Sequence, residues 1–240
     1  MASAPRVPAE QRPSEDEPLL GRAGDVLQED GKGIQYNVVI GTAVLAQVGI
    51  WVLVAVIWTG IFTHELIVFS AHPLLNSSGI LLLTQSILIL QPTHTPEQKR
   101  QGTAVHFTIN FFASSSLLAG LAVILYAKIA HNGAHLESPH AVLGLVSYVF
   151  LLLQSAVGFT QYYTPQLYGG VDKAKKVYKY HRMSGYVLLV LLLATVSAAT
   201  KTYHIKHVIK IKLWAVLVPA VLVLVGVLPR IKKQKLGIRG

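Results

Sequence analysis

The chain contains no cysteine. That excludes disulfides, iron–sulfur clusters, thiolate ligation and covalent haem attachment through C-x-x-C-H, so a metal centre here must use nitrogen or oxygen donors. Charge is also scarce. Asp, Glu, Lys and Arg make up 13% of the 240 residues, against about 25% in soluble domains. Four runs have none of these residues at all: Val38–Phe62, Leu66–Leu90, Gly102–Tyr126 and Ser138–Thr160, of 25, 25, 25 and 23 residues.

A hydrocarbon layer about 30 Å thick takes roughly 20 helical residues to cross, so each run is long enough. Met183–Thr200 and Leu213–Pro229, with 18 and 17 uncharged residues, reach that length by extending into their basic flanks. The runs are continuous and lack the alternation, in segments of about ten, that marks barrel strands. A helix also satisfies its own backbone in lipid. The sequence therefore predicts an all-α, six-helix transmembrane bundle over residues 35–229.

Residues 1–34 read as a disordered acidic tail, with Arg6, Arg12, Arg22 and Lys32 against seven acidic residues and no apolar stretch of signal-peptide type. Residues 230–240 read as a short basic tail. The formal net charge of +10 lies between and after the spans, where lipid headgroups and topology account for it without nucleic acid. With both termini inside, the inner segments hold 12 basic residues and the outer ones 5, so the positive-inside rule places the termini in the cytoplasm. The last outer connection runs against that rule, because it holds Lys201, Lys206, Lys210 and Lys212.

Of ten histidines, His64, His94, His131, His135, His204 and His207 fall in connections. His72, His106, His140 and His181 each fall near the start of spans two, three, four and five. Consecutive spans are antiparallel, so His72 and His140 share the outer half and His106 and His181 the inner half. A lone histidine in a span reads equally as a polar residue satisfied inside a bundle. Four of them, one per central helix and paired by depth, point to ligation, since ionisable groups in a membrane are costly and functional. Zinc or di-iron sites would call for carboxylates or a closer cluster, and these spans have no Asp or Glu. Two imidazoles alone suit the axial positions of a haem iron. Gly144 and Gly185 follow His140 and His181 by four residues, on the same helical face, which leaves room for a flat macrocycle. For either glycine alone, close helix packing is the alternative. A haem with two histidine ligands passes electrons rather than activating oxygen.

The intervals from His72 to His106 and from His106 to His140 are both 34 residues, and that from His140 to His181 is 41. This order of six spans, "SAHP" at His72 and H-x3-G at His140 and His181 resembles the eukaryotic cytochrome b-561 family over about residues 38–229. "YKYHRMSGY" and the compact loops are most similar to small members without extra extracellular domains. The resemblance implies a transmembrane reductase with two b haems, the outer held by His72 and His140 and the inner by His106 and His181. Cytoplasmic ascorbate would be the donor, monodehydroascorbate or a ferric chelate the acceptor, and a homodimer the usual assembly.

Ascorbate is an anion and is expected on cationic groups near the inner haem. Lys99, Arg100 and Lys176 are the candidates, with topology-setting charge as the alternative for each; Asp172 departs from the family's basic pattern. His131 and His135 are candidates for an outer chelate or for proton transfer, and Tyr162, Tyr163, Tyr178 and Tyr180 for an interfacial aromatic belt. "EDEPLL", with Glu15 before Leu19 and Leu20, fits a dileucine sorting signal to a vacuole or lysosome, the plasma membrane being the other location. The runner-up function is a transition-metal carrier or channel. A flavin-dependent reductase would need a nucleotide-binding domain, for which 240 residues leave no room.

Overall fold

A computed structural model describes residues 25–232. The helices are α1 (Ala43–Phe62), α2 (Ala71–Leu90), α3 (Pro96–Ala130), α4 (Pro139–Tyr163), α5 (Val171–Ala199) and α6 (Leu213–Val227). Each, with short flanking turns at α2 and α6, is long and apolar enough to cross a membrane. Among the described residues there is no strand. The expected six-span all-α bundle forms, and the chain is an integral multi-pass membrane protein.

Local signals set the helix starts. Thr95 caps α3 by accepting from the Gln98 amide at 3.2 Å, while the Gln98 side chain accepts from the Thr95 amide at 3.3 Å, and Pro96 follows where no N–H is needed. Ser138 caps α4 in the same way, accepting from the Ala141 amide at 3.2 Å ahead of Pro139. Gly169 and Gly170, at φ 81° and 109°, make the left-handed turn before α5 that a side chain would strain. α3 and α5 begin well before their uncharged runs, at Pro96 rather than Gly102 and at Val171 rather than Met183. Their first turns are rich in Lys, Gln, Arg and Glu, which form helix well but contribute nothing to an apolar run. His72 and His140 are thus second in their helices. His106 and His181 are each eleventh, at the start of the apolar part rather than of the helix.

The helices pack in three antiparallel pairs: α1 with α6, α2 with α3 and α4 with α5. α1 also meets α2, and α5 meets α6. α3 and α4 are the least enclosed, with 17% of the apolar window of each buried. α1 crosses α6 closely: a methyl on Gly49 would stand 2.6 Å from the Pro219 carbonyl oxygen, and one on Gly226 would overlap the Ala46 backbone. Such small residues let backbones approach in lipid, where packing and hydrogen bonds replace the hydrophobic driving force. Gln47 and Gln85 add a reciprocal amide pair between α1 and α2, at 2.6 and 3.0 Å.

Both ends of the described chain lie at one face of the bundle, here the terminal face. Arg230, 3% exposed, donates to the carbonyls of Asn37 at 3.0 Å and Leu88 at 3.4 Å. The Asn37 amide donates to the Ile89 carbonyl at 2.8 Å and to Gln28 Oε1 at 3.0 Å. Gln28 is buried and its backbone N–H donates to Pro92 O at 3.1 Å, so the packed part of the chain begins before residue 35. The dileucine signal around Glu15, Leu19 and Leu20, and all of the basic tail beyond Lys232, lie outside the described residues.

Candidate functional site

His72 and His140, on α2 and α4, face each other across the end of the bundle opposite the terminal face. Their ring centroids are 6.1 Å apart and the ring planes lie at 86°. Each ring is fixed through Nδ1, His72 against the Gly120 carbonyl at 2.8 Å and His140 against the Thr195 carbonyl at 2.9 Å. A carbonyl only accepts, so Nδ1 carries the proton and Nε2 keeps its lone pair. This is the arrangement that orients a metal-ligating imidazole and raises its basicity.

His106 on α3 is held likewise. Its Nδ1 lies 2.7 Å from Ser86 Oγ and 3.2 Å from Ser86 O, both on α2. His181 lies on α5, the eleventh residue of its helix as His106 is of α3. Its Nδ1 is buried without a hydrogen bond, and its ring rests on α4, where a methyl on Gly158 would stand 2.8 Å from His181 Cε1.

A second layer holds the helices behind the rings. Asn76, one turn after His72, donates to the His72 carbonyl at 2.8 Å, and Asn110, one turn after His106, donates to the His106 carbonyl at 2.8 Å. Asn76 also accepts from the Tyr148 hydroxyl of α4 at 2.6 Å, and Asn110 donates to Ser86 Oγ at 2.7 Å. On α5 the corresponding carbonyl, His181 O, accepts from Gln154 of α4 at 2.6 Å. Sequence reasoning missed these residues. The repeated H-x3-N of α2 and α3 was a signal that could have found Asn76 and Asn110; Ser86, Tyr148 and Gln154 had none. The two glycines differ. A methyl on Gly144 would meet only Thr195 Cγ2, at 3.8 Å, leaving open space beside His140. Gly185 instead receives the Gln154 amide, 2.9 Å from where its Cβ would stand.

The cationic candidates sit on the first turns of α3 and α5 at the terminal face. Arg100 is engaged by Glu97 through two hydrogen bonds of 3.1 Å. Lys99 and Lys176 are exposed and make no ion pair among the described residues. Neighbouring Lys175 pairs with Asp172 at 3.7 Å. Tyr162, at the end of α4, lies within electrostatic range of both Arg100 and Tyr178, so α3, α4 and α5 converge here. Tyr163 and Phe159 pack on Phe107, next to His106, at 5.2 and 6.3 Å between centroids. That is packing between helices as well as a belt. Tyr180 is exposed, and His131 and His135 are exposed in the α3–α4 connection.

A family model described as eukaryotic cytochrome b561 matches residues 71–207, which include all four intramembrane histidines. The chain belongs to the cytochrome b561 family. The transmembrane ascorbate-dependent reductase CYB561 of Homo sapiens is 26% identical over 132 residues, covering 55% of this chain and 52% of that protein. The proteins of the same name from Mus musculus and Bos taurus are 26% and 25% identical over the same length. The chain spans about half the length of these curated relatives.

Membership implies b-type haem, and the side chains fit it. Two imidazoles sharing one metal are separated, centroid to centroid, by two metal–nitrogen bonds of about 2 Å and two ring radii of about 1.1 Å. The 6.1 Å between His72 and His140 agrees with that sum. Among the described residues no three His, Cys, Asp or Glu side chains gather to hold an ion.

Proposed function

We propose that this cytochrome b561 carries electrons across the membrane from cytoplasmic ascorbate, through two b haems, to monodehydroascorbate or a ferric chelate on the other side. His72 and His140 hold the haem iron distant from the termini, and His106 and His181 hold the one near them. The observation that carries this reading is the His72–His140 pair, with rings facing at 6.1 Å and each Nδ1 committed to a carbonyl. Bound between two imidazoles, haem supplies a one-electron Fe(III)/Fe(II) couple with no position open to oxygen.

The chain's own residues do the rest. Gly120, Thr195 and Ser86 fix the imidazole tautomers, and Asn76 and Asn110 hold the helix turns that carry two of the rings. The apolar spans keep the path dry and insulated. Lys99 and Lys176, with Arg100 beside them, draw the ascorbate anion to the terminal face. Similarity to ascorbate-dependent reductases supports ascorbate as donor, and a homodimer in an endomembrane or the plasma membrane completes the reading. The facing pair of His72 and His140, rather than a cluster of three or four donors, supports haem over a zinc-type centre.

The test is absorbance of the purified protein before and after ascorbate. Reduced b-type bands that grow with ascorbate, at two haems per chain, are expected. A colourless protein from cells well supplied with haem would sink the proposal.

A further inference from the structure

The connection between α5 and α6 lies on the face away from the termini, where the positive-inside rule disfavours basic residues. It nevertheless holds Lys201, Lys206, Lys210 and Lys212, which with Thr200 and Ile211 line a cavity of about 370 Å³. None of the four makes an ion pair among the described residues. Their placement is built by the backbone. A single π-helical turn, Ile205–Ile209, is closed by the Lys210 amide donating to the Ile205 carbonyl at 2.7 Å. Lys210 adopts φ 62°, a left-handed conformation that non-glycine residues rarely take. Four uncompensated charges and a strained lysine converge on one cavity, on the side of the membrane where topology opposes them.

The same connection reaches the far-face histidine pair. His204, immediately before the π turn, packs edge-on against Phe69 at 4.9 Å, and Phe69 stacks on His72 at 5.9 Å and 21°. Partial burial and the nearby His64 hold the His204 imidazole below its ordinary pKa. Aromatic contacts therefore run unbroken from His72 to the lysine-bearing loop.

We propose that the four lysines form the docking site for a polycarboxylate chelate of ferric iron. This rests on the electron-transfer reading above and names its acceptor. A monoanion such as monodehydroascorbate would leave most of the lysine charge uncompensated, whereas a multiply charged chelate neutralises it, and 370 Å³ is within the usual range for a small-ligand site, about 300–1,000 Å³. The step is one electron. The chelated Fe(III) would become Fe(II) at the expense of one electron from a ferrous b haem held by the histidines, which would be left ferric, and no proton or bond need move between them.

Two measurements on the full chain in phosphatidylcholine nanodiscs test this. In the first, dithionite-reduced protein is mixed with ferric citrate and haem reoxidation is followed by stopped flow. Saturation at low ferric citrate is expected, with half-saturation about tenfold higher in K201Q/K206Q/K210Q/K212Q and at high salt. The cationic oxidant hexaammineruthenium(III) is expected to reoxidise both proteins alike. An unchanged half-saturation overturns the proposal. So does a difference that vanishes when phosphatidylglycerol is added, because the lysines then serve lipid phosphate. The second measurement titrates redox-inert gallium(III) citrate by calorimetry and needs no haem, so it judges the anion site even if the electron-transfer reading fails. Binding about tenfold weaker in the quadruple variant is expected, and equal binding overturns the site. K206Q/K210Q, with a smaller change of the same sign, replaces the quadruple variant if that one does not fold.

Discussion

Tyr148 on α4 donates its hydroxyl to the side-chain carbonyl of Asn76 on α2 at 2.6 Å. Asn76 in turn holds the backbone of His72, so one line of hydrogen bonds crosses between the two helices that carry the far-face histidines. Tyr148→Phe leaves the half-buried Asn76 amide oxygen without this partner, which costs about 1 kcal/mol. Thermal unfolding in detergent is expected to fall accordingly. On the proposed ligation, the low-temperature electron paramagnetic resonance of the haem at His72 and His140 is expected to change, while that of the second haem stays. Equal changes at both centres would contradict this local role.

Replacing His106 or His181 by Ala is expected to halve the haem-to-protein ratio, with the remaining haem still reducible by dithionite. Ascorbate reduction of that remaining haem is expected to slow by at least about tenfold, since the centre nearest the donor is gone and transfer depends on positioning. Pyridine haemochrome assay and stopped flow measure the two effects. Loss of all haem from either single change would contradict the pairing.

Gly158 and Gly144 give opposite expectations. A side chain at Gly158 strikes the His181 ring, so Gly158→Val is expected to displace that imidazole and lose the terminal-face haem. Gly144 has open space, with only Thr195 Cγ2 within reach of an added methyl. Gly144→Leu is therefore expected to insert and fold normally while, on the proposed ligation, losing the haem at His140, because it fills the open space beside that histidine. Haem stoichiometry together with size-exclusion behaviour separates the two cases.

Lys99→Gln with Lys176→Gln is expected to raise the KM for ascorbate several-fold at low salt, with an effect that shrinks as screening rises. Arg100→Gln alone is expected to do less, because Glu97 already occupies that guanidinium. Glu97→Gln frees it and is expected to lower the KM. The same order of effects at 1 M salt would point to packing rather than charge.

The spans were legible because hydrocarbon selects against charge over a fixed thickness, and Val38–Phe62 and Leu66–Leu90 satisfy that plainly. The early starts of α3 and α5 were hidden from the same criterion. Residues 96–101 and 171–182 are helical and charged at once, and an uncharged run registers only the part that meets lipid. The closeness of His72 to His140 was legible because antiparallel spans convert sequence order into depth. Ser86 and Gln154 were not, since each acts on a histidine of another helix and rotation about the helix axes, which decides such contacts, leaves no mark on spacing. Gly185 shows the limit of offset arguments: its offset matches that of Gly144, yet a glutamine fills the gap.

The pairing of α1 with α6 bears on how the chain is assembled. Thr42 Oγ1 donates to the Gly226 carbonyl across 184 residues of sequence, and the guanidinium of Arg230 reaches back to Asn37 and Leu88. α1 therefore waits, its Gly49 face without its partner, until α6 has left the ribosome. During that interval the nascent protein is a row of spans still open at both edges, and insertion of the sixth closes it. A translation product ending before residue 213 is thus expected to retain every histidine yet be held by the membrane quality-control machinery, which pulse-chase degradation would reveal.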